Sequence, residues 1–580
     1  MVKYFLGILT GILLILVLCV VAVVIAMTAG GSSATVADKS VLELNLTGPV
    51  RENVASEFDL SFLRSGPPPT VLGLRSTLLH AAEDSNISAL ALNCGGLAVG
   101  WGKAQELRWQ IEKFKESGKP VMAFMQVAGT MDYFVCSAAD EIYMEPEGML
   151  DMKGLRAEVA FYKDTFEKIG VDVEMERIGK YKSAAEPYTQ TGMSEAYREV
   201  TNSILDEILA QLSDTIAPSR KITPEQFRAA LDDGPFQPDG AQKAGLIDGL
   251  LYRDQFEDKL AGAIGVDEIE TVSHAHYAKA NQAAFNLGGK KQIAIVYGVG
   301  AILRGRSESD PLLGVETLGA DSLVEAMEQA RDNDDVQAII LRIDSPGGDA
   351  IASDQMWRAL ALASAKKPVV VSMSDVAASG GYYMAMAKNV PVLAYPGCYT
   401  GSIGVFFGKL NLRGLYEKIG LKKDILTRGR YAAIDSDYRP LTEDERAKLR
   451  QGVEKVYDSF VTKVADARGM DWDATQQVAQ GRVWLGSQAV KVGLVDELGG
   501  LDRAIALVKE KAGLGADEDV DLIAYPKPKR LIEVLLEQNG MVQAPALPAF
   551  LRERLRFASA WPALAEGGVL ALSPYALTVQ

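Results

Sequence analysis

The feature that most constrains the fold of this chain is an internal repeat. Glu-Lys-Ile-Gly occurs at residues 167–170 and again at 417–420, which is 250 positions later. Lys-Pro-Val and a following apolar residue occur at 119–122 and at 367–370, and other matched pairs keep the same order along the chain. One match of four residues would be chance, whereas an ordered series of matches indicates a duplicated domain.

Each half alternates short apolar runs with amphipathic helices. In the second half, residues 292–298, 338–343 and 369–374 are predicted to be buried strands, and residues 350–363 a helix. The stretch 442–467 has the pattern of a long helix. Strands that alternate with helices predict largely parallel sheets covered by helices, so we expect an α/β fold.

The N-terminus contains an uncharged apolar segment, residues 5–27. A helix of this length rises ~1.5 Å per residue and crosses the ~30 Å hydrocarbon layer of a membrane. Lys3 precedes the segment, which predicts a cytoplasmic N-terminus and places the rest of the chain outside the cytoplasm. A cleaved signal peptide is the alternative, but it has a shorter apolar region, so we expect an uncleaved anchor.

The repeat and the apolar segment together divide the chain. We expect a transmembrane anchor over 1–30, an N-terminal repeat over 40–285 and a C-terminal repeat over 290–520. The end of the chain, 526–580, is rich in proline and apolar in patches, and we assign it only as a tail whose order the sequence does not fix.

The net charge and the positions of the cysteines and histidines exclude some classes of function. The net charge of −16 and the lack of a basic stripe argue against nucleic-acid binding. The four cysteines have no zinc-site spacing and indicate no disulfide framework. His274 and His276 lie in a polar stretch that we expect to be a linker, where a metal pair is the alternative to a solvated loop. We predict no metal site and no organic cofactor.

The most specific local motif is Ala-Ala-Ser-Gly-Gly-Tyr-Tyr at residues 377–383, which follows a predicted strand and precedes a helix. A serine at such a turn presents its hydroxyl where free backbone N–H groups and the helix dipole favour developing negative charge. Ser379 is therefore our candidate nucleophile. The alternative is that Ser379 is only a helix cap.

A second glycine turn lies at the end of the preceding strand, in Asp-Ser-Pro-Gly-Gly-Asp at 344–349. Ligand sites of α/β sheets form at the carboxyl ends of strands, so the two turns are expected to line one crevice. We predict an oxyanion hole made by the N–H group of Gly380 and that of Gly347 or Gly348.

The base for Ser379 is predicted from a difference between the two repeats. No histidine lies in either glycine turn. Gly-Lys-Tyr-Lys-Ser at 179–183 corresponds to Gly-Arg-Tyr-Ala-Ala at 429–433, so Lys182 occupies the position of Ala432. A lysine acts as a base when burial lowers its pKa from ~10.4 towards ~7–8. Lys182 is our candidate general base, and an exposed lysine is the alternative.

These motifs resemble those of the signal peptide peptidase A family in its long, duplicated form, also called protease IV, which belongs to the S49 serine peptidases. The resemblance covers nearly everything from the apolar segment to about residue 520. It is carried by four motifs in the expected order: Tyr-Lys-Ser-Ala-Ala-Glu-Pro at 181–187, Asp-Ser-Pro-Gly-Gly at 344–348, Ala-Ser-Gly-Gly-Tyr-Tyr at 378–383 and Thr-Gly-Ser-Ile-Gly at 400–404.

The resemblance implies tandem crotonase/Clp-like spiral domains and a Ser/Lys dyad that joins the two halves, with Ser402 orienting the lysine amine. It also implies a single-pass protein of the bacterial inner membrane with its catalytic domains on the periplasmic side. A homo-oligomer, with a tetramer as the suggested size, is expected to degrade cleaved signal peptides and other small, extended peptides.

Two alternative functions fit the same sequence. Crotonase-like enzymes use similar glycine N–H pairs to hold an acyl-CoA thioester, although the predicted anchor places these domains away from coenzyme A. The other alternative is a catalytically inactive membrane scaffold.

Overall fold

The computed structural model describes residues 36–53, 69–280, 291–310, 315–527 and 569–572. The predicted anchor over 1–30 and most of the predicted tail lie outside these residues. Among the described helices, none is both long enough and apolar enough to cross a membrane.

The described part of the first half alternates strands and helices. Its strands are β1 (Ser40–Gly48), β2 (Ile87–Leu97), β3 (Val121–Gly129), β4 (Glu141–Asp151), β5 (Asp172–Ile178), β6 (Gly249–Leu250) and β7 (Thr271–Ser273). Its helices are α1 (Val71–Glu83), α2 (Trp101–Lys115), α3 (Thr130–Cys136), α4 (Lys163–Ile169), α5 (Glu186–Thr189), α6 (Glu195–Arg220), α7 (Pro224–Asp233), α8 (Pro238–Lys243), α9 (Arg253–Ile264) and α10 (His274–Ala280).

Six of these strands form a parallel sheet in the order β6-β4-β3-β2-β1-β7. Apolar residues fill both faces of the central strands, and Leu90 and Leu92 of β2 are fully buried. Ala104 and Ile111 of α2 belong to the same core as these leucines. A parallel sheet with both faces covered requires such continuous apolar strands.

The second half repeats the alternation. Its strands are β8 (Gln292–Val299), β9 (Ala301–Leu303), β10 (Ser309–Asp310), β11 (Val315–Gly319), β12 (Val336–Ser345), β13 (Gly347–Asp349), β14 (Val369–Ala378), β15 (Val392–Ala394), β16 (Tyr399–Gly401), β17 (Val405–Asn411), β18 (Val483–Leu485), β19 (Glu497–Leu498), β20 (Asp521–Tyr525) and β21 (Val569–Leu572). Its helices are α11 (Ala320–Asp332), α12 (Ala350–Ser364), α13 (Gly380–Met384), α14 (Arg413–Lys418), α15 (Glu443–Arg468), α16 (Trp472–Val478), α17 (Gly486–Lys491) and α18 (Leu501–Lys511).

The main sheet of the second half has the order β18-β16-β14-β12-β8-β20, with β15 also paired to β14. All its pairs are parallel except β16 with β18. The strands predicted near 292, 338 and 369 and the helices predicted near 350 and 442 are all present, which confirms the α/β class with parallel sheets.

The two halves follow the same order of elements. The long helices α6 and α15 both have 26 residues, and shorter helices follow each of them, α7, α8 and α9 in the first half and α16, α17 and α18 in the second. This correspondence extends the repeat read from the sequence, while the exact domain limits stay a prediction.

A third sheet is built from both halves and ties them together. Its order is β10-β11-β9-β13-β21-β17-β5, and β5 of the first half pairs antiparallel with β17 along the whole of both strands. Tyr399 and Leu485 of the second half also belong to the hydrophobic core of the first. The halves therefore share both backbone hydrogen bonds and apolar packing.

A buried charged cluster also lies between the halves. Lys103 of α2 contacts the carboxylates of Asp344 and Asp375, the latter with Nζ to Oδ2 at 3.0 Å, and its amine is 3.6 Å from Glu52. Arg342, which is fully buried, donates to Glu52 with Nε to Oε2 at 2.9 Å. Buried charges need such partners because desolvation of an unpaired charge is costly.

Two expectations from the sequence were wrong. Cys94 at the end of β2 and Cys136 at the end of α3 form a disulfide, although they are 42 residues apart and share no recognisable spacing. The polar stretch with His274 and His276 is a helix, because Tyr277 anchors α10 in the core of the first half. In the described ranges, no group of three or more histidine, cysteine or acidic residues could hold a metal ion.

Candidate active site

Ser379 lies at the turn between β14 and α13, where the sequence predicted it. Its φ of 57° and ψ of −114° are outside the favoured regions for a residue with a side chain. The turn is held by a hydrogen bond from the Ser379 N–H group to the Gly401 carbonyl, at 2.8 Å. Strained backbone of this kind is common at functional sites, where the surrounding structure enforces it.

The side chain of Ser379 does not act as a helix cap, because it makes no capping hydrogen bond to α13. It is fully buried, and its Oγ atom instead contacts the amine of Lys182. Close packing fixes the turn from the other side, since a Cβ atom at Gly381 would lie 2.6 Å from the Ser345 carbonyl oxygen. The second of the two glycines after Ser379 is thus required by space.

Lys182 comes from the first half, just after β5, and reaches the turn of the second half. Its Nζ atom is 2.7 Å from Ser379 Oγ, 3.0 Å from Ser402 Oγ and 3.1 Å from the Ser402 carbonyl oxygen. The lysine side chain is fully buried. The structure therefore brings together Ser379, Lys182 and Ser402, which come from distant parts of the chain.

The backbone of Lys182 packs against a glycine of the second half. Gly481 has a φ of +76°, and a Cβ atom there would lie 2.6 Å from Lys182 Cβ. The neighbouring Gln480 carbonyl accepts a hydrogen bond from Tyr181 N–H at 2.8 Å. A side chain at position 481 would force Lys182 away from Ser379.

Within the first half, Arg177 and Glu186 hold the segment that carries Lys182. Arg177 Nη1 donates to the Lys182 carbonyl oxygen and to Glu186 Oε1, both at 2.9 Å. Glu186 is almost fully buried and also accepts a hydrogen bond from Ser194 Oγ. These contacts hold the backbone of Lys182 in place, from which its side chain extends towards Ser379.

Burial lowers the pKa of Lys182 well below its ordinary value. Desolvation is the cause, and within the described part of the chain no carboxylate forms an ion pair with this amine that would oppose it. A neutral amine has two N–H groups and one lone pair. The observed contacts satisfy it if Ser402 accepts both N–H groups and the Ser379 hydroxyl donates to the lone pair.

The predicted oxyanion glycines lie beside Ser379. Gly380 is the first residue of α13, so its N–H group has no partner within the helix. Gly347 and Gly348 form β13, and the Gly347 N–H group donates to Ser345 Oγ at 3.2 Å. Because Gly381 packs on Ser345, this turn and α13 are in direct contact.

The corresponding turn of the first half is built differently. Gly129 precedes α3 as Ser379 precedes α13, so the residue before the helix has no hydroxyl. The carboxylate of Asp132 accepts hydrogen bonds from Leu97 N–H and Gly129 N–H, both at 2.8 Å. The backbone N–H groups of this turn therefore donate to an acidic side chain, whereas the corresponding turn of the second half carries Ser379.

A serine hydroxyl in contact with a buried amine whose pKa is lowered, next to backbone N–H donors, is an arrangement suited to acyl transfer by a serine hydrolase. The sequence profile of peptidase family S49 matches the chain twice, over residues 113–267 and 361–515. The chain belongs to this family and is a serine peptidase, which favours peptide hydrolysis over the acyl-CoA alternative.

Similar proteins that are named as proteases or peptidases support the same family assignment. The chain is 35% identical over 507 residues to the chloroplastic serine protease SPPA of Arabidopsis thaliana, covering 86% of this chain and 73% of that protein. It is 32% identical over 452 residues to protease 4 of Salmonella typhi, covering 76% and 71%. A putative signal peptide peptidase SppA of Enterococcus faecium is 31% identical over 241 residues, covering 41% and 68%.

Proposed function

We propose that this chain is a membrane-anchored serine endopeptidase in which Ser379 is the nucleophile and Lys182 the general base. The observation that carries the proposal is the 2.7 Å contact between Lys182 Nζ and Ser379 Oγ, made by an amine that is fully buried and has a lowered pKa. Hydrogen-bond distance and a lowered pKa are the two requirements for a lysine base.

In the first step, neutral Lys182 takes the proton of the Ser379 hydroxyl as the oxygen attacks the scissile carbonyl. The resulting oxyanion is stabilised by the N–H group of Gly380 and by that of Gly347 or Gly348. The lysine then gives its proton to the leaving amine, and an acyl-enzyme remains. Water, deprotonated by the same amine, hydrolyses the acyl-enzyme and releases Ser379.

Ser402 has the role of orienting the lysine. Its Oγ and carbonyl oxygen both contact Nζ, so they point the lone pair of the neutral amine towards Ser379. Ser402 has a φ of 52°, in the left-handed region that residues with a side chain rarely adopt. The residue is therefore a positioning residue for the base.

The substrates are cleaved signal peptides and other small extended peptides, bound along a strand edge. The Enterococcus faecium relative, a putative signal peptide peptidase, supports this class. The apolar segment 5–27 anchors the chain in a bacterial inner membrane, and the tandem spiral domains, 40–285 and 290–520, lie on the periplasmic side. The working unit is a homo-oligomer, with four subunits as the expected number, and needs no metal or cofactor.

The test is cleavage of a quenched fluorogenic peptide with small apolar residues by the detergent-solubilised full chain. Ser379→Ala is expected to lower kcat by about 10³-fold or more, because no other hydroxyl takes the place of the nucleophile. Ser364→Ala, at the end of α12, is the matched control and leaves kcat unchanged. Full proteolysis by Ser379→Ala would refute the assignment, and an unmodified chain that cleaves no peptide would favour the inactive scaffold.

A further inference from the structure

The third sheet contains a slot that is one strand wide. β13 pairs with β9 on one edge, and β17 pairs with β5 on one edge. Their other edges face each other across a gap of two interstrand spacings, about 9.6 Å. An extended peptide in this gap pairs with a strand on each side, so the gap is suited to strand addition.

The slot borders the candidate active site. Gly347 and Gly348 form one wall. Gly404 directly precedes the other wall, β17, and its carbonyl oxygen is 3.5 Å from Ser379 Oγ. An extended peptide in the slot therefore runs beside the nucleophile and along the glycines of the predicted oxyanion hole.

The chain fills this slot with its own strand β21. Leu572 pairs with Gly347, and Ala571 with Gly348, in antiparallel orientation. On the other side, Leu570 pairs with Phe406 and Val569 with Phe407, also antiparallel. The register on both walls is thus defined by backbone pairing.

The sequence of β21 suits a peptide ligand. Val-Leu-Ala-Leu at 569–572 carries no charge. Backbone pairing gives affinity that depends little on side chains. Because the strand is covalently attached, it binds the slot intramolecularly, and a peptide substrate competes with its effective concentration there.

We infer that residues 569–572 occupy the peptide-binding slot of their own active site and compete with peptide substrates. The inference rests on the proposed function, in which Ser379 cleaves peptides bound along this edge. A substrate of extended, apolar character must displace β21 before it can reach Ser379.

The first test removes the competitor within the full chain. Leu570→Pro with Leu572→Pro eliminates two backbone N–H groups of β21, and we expect the apparent KM for the fluorogenic peptide to fall about tenfold while kcat is unchanged. Thr578→Pro, outside β21, is the matched control. An unchanged KM in an enzyme that still depends on Ser379 would overturn the inference and leave the proposed function intact.

The second test locks the strand in place. Cα atoms of paired antiparallel residues are about 4.5–5.5 Å apart, within reach of a disulfide. Val569→Cys with Phe407→Cys, oxidised with glutathione disulfide, is expected to form an intramolecular bond and to lose peptidase activity, which dithiothreitol restores. The unmodified chain, treated identically, controls for Cys94–Cys136 and keeps its activity. Failure to form the bond, or full activity of the oxidised variant, would contradict occupancy of the slot.

Discussion

Two buried lysines of the first half, Lys182 and Lys103, reach into the second half and meet opposite surroundings. In the described part of the chain, the hydrogen-bond partners of the Lys182 amine are the hydroxyls of Ser379 and Ser402 and the carbonyl of Ser402. Lys103 lies against Asp344, Asp375 and Glu52. Both amines are removed from water, so burial alone does not distinguish them.

The difference lies in the pKa of each amine. Burial lowers the pKa of Lys182 well below its ordinary value. Burial would also lower the pKa of Lys103, but Asp344, Asp375 and Glu52 raise it well above the ordinary value. Burial therefore favours the neutral form of Lys182, whereas the carboxylates favour the charged form of Lys103.

The largest expected effect is on activity and separates the two lysines. Lys182→Met keeps the volume of the side chain but removes the proposed base, so we expect kcat to fall by about 10³-fold. Peptide cleavage by the full chain measures it. Lys180→Met, at an exposed neighbouring lysine, is the control and leaves kcat unchanged. A variant with kcat near that of the parent would show that Lys182 is not the base.

For the free energy of unfolding, we expect the larger loss from the change at Lys103. Lys103→Met leaves Asp344 and Asp375 buried without their cation, which is expected to lower the free energy of unfolding by about 3–5 kcal/mol. Lys182→Met is expected to lower the free energy of unfolding by less than about 2 kcal/mol, because it leaves no buried charge without a partner. Denaturant unfolding of both variants measures the difference. Equal losses would show that the carboxylates around Lys103 do not depend on it.

The two lysines are also expected to give stability opposite dependences on pH. Folded Lys182 binds protons more weakly than the unfolded lysine, so the stability of the parent relative to Lys182→Met rises with pH between the folded pKa and ~10.4, by up to about 1.4 kcal/mol per unit. Folded Lys103 binds its proton more tightly, so its stabilisation persists up to ~10.4 and is lost as pH rises through the folded pKa. Unfolding curves across alkaline pH measure both.

Activity follows the same titration of Lys182. The ammonium form cannot accept the proton of Ser379, so kcat/KM is expected to rise with pH through the lowered pKa and then level off. A flat profile from acidic to alkaline pH would argue against a titrating amine.

The smallest expected effect concerns the positioning of the base. Ser402→Ala removes one of the two acceptors that orient the amine, and we expect kcat to fall by about tenfold with KM unchanged. Ser402→Thr keeps the hydroxyl and is expected to recover part of the activity. A loss in KM instead of kcat would assign Ser402 to substrate binding.

The repeat made much of this site predictable from sequence. Because the two copies could be compared, the lysine that replaces Ala432 stood out, and the order of elements in one half supported that in the other. Apolar runs located the central strands, and the glycine turns located the ends of β12 and β14. These features could be predicted because each depends on residues that are close together in the sequence.

Features that depend on distant contacts were not predictable. The Cys94–Cys136 disulfide joins residues on different elements, and neither has a local signature. Gly481 lies almost 300 positions from Lys182 in a turn with no catalytic residue, and only the folded backbone gives it a role. The pairing of β5 with β17 and of β21 with β13 also requires the tertiary fold, because short edge strands leave little pattern in sequence.

Because β5 of the first half pairs with β17 of the second, the site that joins the two halves can form only late in biosynthesis. A ribosome releases the amine of Lys182 long before the hydroxyl of Ser379, and the seat provided by Gly481 emerges last of the three. A nascent chain thus carries an incomplete peptidase until nearly the whole second half has been made and folded.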